Sequence, residues 1–117
     1  MPTPATVDIQ VPRNGDYYEE WQLRDIDGEP IDLTGHTLSA QARPTGGDST
    51  VIANAIIAIT EAANGQFTFR WRGSDFDGFG NRFALAAAAY DLKHTHPDGI
   101  INIPVRGQLL IPPEVTP

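Results

Sequence analysis

Apolar residues recur at every second position in a series of short runs, the spacing that buries one face of a β-strand. Val7, Ile9 and Val11 alternate with Thr6, Asp8 and Gln10, and Pro12-Arg13-Asn14-Gly15 ends that run. Over Tyr17–Asp25, Tyr17, Trp21 and Leu23 share one face and Tyr18, Glu20, Gln22 and Arg24 the other; Glu19 interrupts the apolar face, which places this strand near an edge. Across His36–Arg43, Leu38, Ala40 and Ala42 alternate with Thr37, Ser39 and Gln41. Val51–Thr60 is apolar and β-branched, and Asn64-Gly65 turns it into Gln66–Arg72. There Phe67, Phe69 and Trp71 face a core while Thr68, Arg70 and Arg72 project the other way, the clearest hairpin in the chain. Ala89–Lys93, Ile100–Val105 and Gly107–Ile111 complete the series, with Pro104 marking an edge or a bulge.

Turn chemistry separates these runs. Asp27-Gly28 and Asp98-Gly99 are hairpin connections in which Gly supplies a positive φ. Pro44–Ser49 reads as an open loop with no apolar anchor. Phe83–Ala89 stays open between two readings: its alanines favour a short helix over 83–88, yet it leads into a strand. Seven or eight short antiparallel strands at regular spacing predict an all-β, immunoglobulin-like β-sandwich or a small barrel. The domain is expected over residues 6–112, between a flexible tail at 1–5 and a second at 113–117.

Composition narrows this. The 117 residues suit one domain that folds on packing alone, since there is no cysteine for disulfides or thiolate metal sites. Ten prolines and eleven glycines argue against a helical bundle, and 40% hydrophobic residues argue against disorder. No run approaches the length that spans a bilayer, and Met1–Ala5 has no secretory pattern, so the chain is expected in the cytoplasm where it is made. The formal charge is −7, and seven of the fifteen acids (Asp16, Glu19, Glu20, Asp25, Asp27, Glu29, Asp32) fall between residues 16 and 32. One acidic end and scattered bases argue against binding nucleic acid.

Candidate chemistry is sparse. His94-Thr95-His96 sets two imidazoles on one strand face, with Asp91 or His36 as the third ligand that zinc needs. The pair abuts the Pro97-Asp98-Gly99 turn, where polar residues are expected anyway, so no metal and no cofactor is assigned. Asp25-Ile26-Asp27-Gly28 and Asp75-Phe76-Asp77-Gly78 begin like calcium loops, but Pro30 and His36 spoil the first and Ala86 the second. No phosphate loop, dinucleotide loop or nucleophile elbow occurs, and Glu19 and Glu20 point to opposite faces, so no catalytic residue is assigned. Phe76 and Phe79, in the Gly-rich loop 73–82, read as plugs at one end of the sandwich or as an exposed docking patch.

The run Leu23–Gly35, then Leu38–Arg43, the Asn64-Gly65 hairpin, Tyr90-Asp91-Leu92, Asp98-Gly99 and Gly107 resembles small structural modules of tailed bacteriophages, most closely the N-terminal domain of upper baseplate proteins. The resemblance spans roughly residues 16–112, without the long helical or receptor-binding extension of those proteins. It implies a non-enzymatic virion component in the tail, baseplate or neck, or a capsid decoration, made in the host cytoplasm and assembled as a ring or other homo-oligomer. Its partners would be copies of itself and other phage structural proteins. Asp16, Glu19, Glu20, Asp27, Glu29, Arg70, Arg72, Phe76 and Phe79 are the expected interface residues, with Arg70 and Arg72 meeting a neighbour's acidic end. The alternative is a carbohydrate- or host-receptor-binding module stacking sugars on Tyr17, Tyr18, Phe76 and Phe79.

Overall fold

The computed structural model describes residues 5–80 and 83–113; the expected tail positions 1–4 and 114–117, and Asn81 and Arg82, lie outside it. Its strands are β1 (Ala5–Thr6), β2 (Ile9–Gln10), β3 (Asp16–Gln22), β4 (Thr37–Arg43), β5 (Ala53–Asn54), β6 (Ile56–Glu61), β7 (Gln66–Arg72), β8 (Ala86–Thr95) and β9 (Ile101–Ile111). They form two sheets. One has the order β1-β9-β8-β4-β5, with β2 also on β9, and the other the order β3-β7-β6. β1 and β2 run parallel to β9, and all other neighbours are antiparallel.

This is the strand order of an immunoglobulin-like β-sandwich. β3, β7 and β6 take the places of strands B, E and D, while β9, β8, β4 and β5 take those of G, F, C and C′. The core is built by matched sizes on the two inner faces. Phe67, Phe69 and Trp71 on β7 are fully buried, and the facing sheet supplies Ala40, Ala42 and Ala88 beside Leu38, Tyr90 and Leu92. Tyr90 meets Phe69 and Trp71 edge-on at ring-centroid distances of 6.2 and 5.9 Å. Antibody domains carry a disulfide cysteine two residues after the strand-F tyrosine; here Leu92 stands there, fully buried.

The same tyrosine fastens the first strand. Tyr90 is paired with Gly107 on β9, and its hydroxyl passes over that glycine to donate a 2.6 Å hydrogen bond to the Val7 carbonyl. A Cβ at Gly107 would lie 2.1 Å from that oxygen, so only glycine lets the segment between β1 and β2 come so close. Burial pushes the Tyr90 hydroxyl well above the usual tyrosine range, which keeps it a donor.

Four sequence readings change. Ala5 belongs to β1 and pairs with Val105, so it is part of the sheet rather than of a tail. Phe83–Ala88 forms no helix: Ala86 onward pairs with β9 and Ala89 also with β4, and this pairing on two sides outweighs local alanine propensity. The single run Val51–Thr60 is divided, with β5 in one sheet and β6 in the other. The two expected runs at 100–105 and 107–111 are one strand, and its register against β8 slips between Leu92 and His94, beside Pro104.

Replacing Tyr90 by Phe should lower unfolding free energy by about 1–3 kcal/mol in denaturant titrations, because the Val7 carbonyl loses its buried partner. Gly107→Ala should cost more and remove hydrogen-exchange protection at the Val7 amide, which donates to Arg106.

Candidate functional site

The acidic residues are divided between a loop and a strand. Asp25, Asp27, Glu29 and Asp32 are exposed on the loop between β3 and β4, whereas Asp16, Glu19 and Glu20 lie on edge strand β3. Asp25 is a turn cap: its Oδ1 accepts from the backbone N–H of Asp27 at 2.9 Å and of Glu29 at 3.0 Å. Asp16 pairs with Arg70 of its own chain, accepting from Nε at 3.0 Å and from a terminal nitrogen at 2.5 Å. Arg70 thus has an acid of its own chain as partner while its side chain stays partly exposed, and Arg72 is exposed. The hydrogen bond from Arg70 holds the Asp16 carboxyl below the usual carboxylate range.

Phe76 is fully buried and Phe79 is half-buried against the core, with their rings 6.5 Å apart. They are the plug of the two readings, and Phe76 cannot serve as a docking residue. What holds the loop is a residue the sequence did not single out. Arg13, 3% exposed, donates to the Phe76 carbonyl at 2.8 Å and to the Phe79 carbonyl at 2.9 Å, so the chain before β3 ties down the loop after β7. Its signal was a lone Arg in a turn, which does not foretell burial. Tyr17 is half-buried and its hydroxyl accepts from Trp21 Nε1 at 2.8 Å; of the four aromatics proposed for sugar stacking, only Tyr18 is well exposed, at 62%.

The histidines converge. β4 lies antiparallel to β8 with Leu38 opposite His94 and Thr37 opposite Thr95, so His36, one residue before β4, falls beside His96 on the same side. His36 Nδ1 and His94 Nε2 are 2.6 Å apart, and the three ring centroids are 4.4–4.8 Å from one another. Asn102 on β9 places its carboxamide nitrogen 2.9 Å from His96 Nε2. His94 is buried, and burial, then the His96 and His36 rings, push its imidazole down to about 4, so it stays neutral near pH 7. Of the two third partners the sequence offered, Asp91 and His36, the β4–β8 pairing brings His36 to the pair.

A second feature also went unread. The outer face of the larger sheet carries a shallow hollow of about 700 Å³ with an alanine floor at Ala89 and polar walls from Gln41, Arg43, Asp91, Arg106 and Gln108. These side chains alternate outward along β4, β8 and β9, a pattern legible only once the strands are paired.

Comparison with protein-family models finds no match, and comparison with curated proteins finds none either. Among solved structures the chain is similar to murine CRIg, with 14% identity, a TM-score of 0.38 and coverage of 97% of this chain and 96% of that one. It is similar also to a ZIG-8–RIG-5 IG1–IG1 heterodimer, with 9% identity, a TM-score of 0.39 and coverage of 97% and 85%. The class of protein is given by the strand order: an immunoglobulin-like β-sandwich, here without a disulfide.

Arg13→Met should cost about 2–3 kcal/mol, since two carbonyls lose a charged donor, and should speed proteolysis within 73–80. For His94 the sign of the pH effect follows from its lowered value: the unfolded chain takes up the proton near 6.5 and the folded chain only near 4. Stability of chelator-treated protein should therefore be level above about 6.5 and fall as pH drops toward 4. Melting curves across pH 4.5–7.5 should show that decline, flattened in His94→Gln.

Proposed function

We propose that this chain is a non-enzymatic contact module that works by adding one of its sheet edges to a neighbouring protein. The observation that carries the reading is the uneven protection of the edges. Exposed strand edges invite pairing with other chains and are normally blunted by charge, proline, shortness or breaks. β5 has only two residues, β1 and β2 are interrupted between them, and β3 carries Asp16, Glu19 and Glu20. β6 carries no charge, proline or break over Ile56–Ile59, ahead of the register shift between Ile59 and Glu61 and the terminal Glu61; it exposes Ile56 and Ile59 and has β7 as its strand neighbour among the described residues. A strand docked there would extend the three-stranded sheet through backbone hydrogen bonds, with Ile56 beneath it.

The resemblance to phage structural modules supports a tailed-phage virion as the setting, at a tail, neck or capsid-surface position, with copies of this chain or other virion proteins as occupants of the edge. The loss of Phe76 from the exposed aromatics weakens the sugar-binding alternative.

Ala58 points outward from the middle of the edge, opposite Thr68. Ala58→Lys should leave stability within about 0.5 kcal/mol while abolishing self-association, measured by light scattering at high protein concentration. A wild-type chain that stays monomeric and is absent from purified particles would end this reading.

A further inference from the structure

We propose that His36, His94 and His96 form a binding site for one divalent transition-metal ion of the zinc class, clipping the entry of β4 to the β8–β9 hairpin. This stands independently of the edge-docking reading. The donor set comes first: imidazole nitrogens suit zinc, copper and nickel and ill suit calcium or magnesium, which take oxygen. One ligand atom from each ring lies within 4.8 Å of the others. A zinc ion with nitrogens at about 2.0–2.1 Å in tetrahedral geometry separates its ligands by about 3.4 Å. The shortest separation here, 2.6 Å between His36 and His94, lies below that value and none exceeds 4.8 Å, so the His36–His94 pair must open by somewhat under ~1 Å for the three nitrogens to surround one ion.

The surroundings fit the same role. Metal binding requires unprotonated imidazole, and three positively charged rings could not be packed at these distances. Two neutral rings can share one N–H···N hydrogen bond, but that accounts for His36 and His94 and leaves the approach of His96 without a partner in the cluster. His96 is instead fixed from outside through Nε2 by Asn102, leaving Nδ1 as its ligating atom. A ligating histidine donates its other ring N–H to an oxygen. In the loaded site the Asn102 carboxamide therefore turns its oxygen toward Nε2, an exchange of two atoms that occupy the same place. His36 and His96 are half-buried, so the fourth position faces solvent and takes water.

The consequence is mechanical. His36 and His94 are 58 positions apart in sequence, and a shared ion would tie the start of β4 to the end of β8 in a chain that has no cysteine.

The test uses untagged protein stripped with EDTA and titrated calorimetrically with zinc chloride. One equivalent should bind, and the melting temperature should rise by about 10 °C at zinc a hundredfold above Kd. His36→Ala and His96→Ala, both at half-buried positions and checked for native circular dichroism, should each abolish binding. Asn102→Ala should weaken it about 10–100-fold. Cobalt(II) should give the visible absorption of a tetrahedral nitrogen site. No stoichiometric binding by the folded wild type would overturn the proposal and leave the cluster as packed neutral rings. Undiminished binding in both alanine variants would overturn it equally, placing the ion elsewhere.

Discussion

Three bulky rings on one strand, Phe67, Phe69 and Trp71, need a facing layer whose side chains are small enough to admit them. β4 and β8 answer with Ala40, Ala42 and Ala88 at inward positions, and Tyr90 fills the remaining space edge-on. Interiors are packed as densely as organic crystals, so this matching fixes how close the sheets lie and which strands can face each other. Within the alanine run that looks helical by propensity, Ala88 is therefore a requirement of the opposite sheet.

From that layer the rest is positioned. Tyr90 also reaches over Gly107 to hold the carbonyl of Val7, so the core residue and the first strand share one side chain. At one end of the sandwich Arg13 closes the loop carrying Phe76 and Phe79. At another, the β4–β8 pairing that seats Leu38 opposite His94 necessarily brings His36 to His96. A core without a disulfide thus places two candidate functional features, the uncharged edge stretch Ile56–Ile59 of β6 and a triad of imidazoles, on parts of the structure fixed by packing.

Charge plays a smaller part than its concentration in sequence suggests. Asp25 caps its own turn and Asp16 holds Arg70, and both are exposed arrangements whose energetic weight is small in water. The acids at 16–32 are divided between a strand edge and a loop, and Asp16, Asp25 and Asp32 among them have local duties.

Alternation by itself determined most of the strands. Gln66–Arg72 has its sequence bounds, Phe67, Phe69 and Trp71 are core, and the Asp-Gly turns at 27–28 and 98–99 form with Gly28 and Gly99 at positive φ. These features are local, written in side-chain period and turn stereochemistry. What the tertiary structure alone decided is everything that depends on which strand lies beside which. The division of Val51–Thr60 between two sheets, the strand fate of Ala86–Ala89, the burial of Arg13 and the meeting of His36 with His94 and His96 all rest on long-range pairing. A period of two carries no record of its partner, so the sequence could name the histidines but could not bring them together.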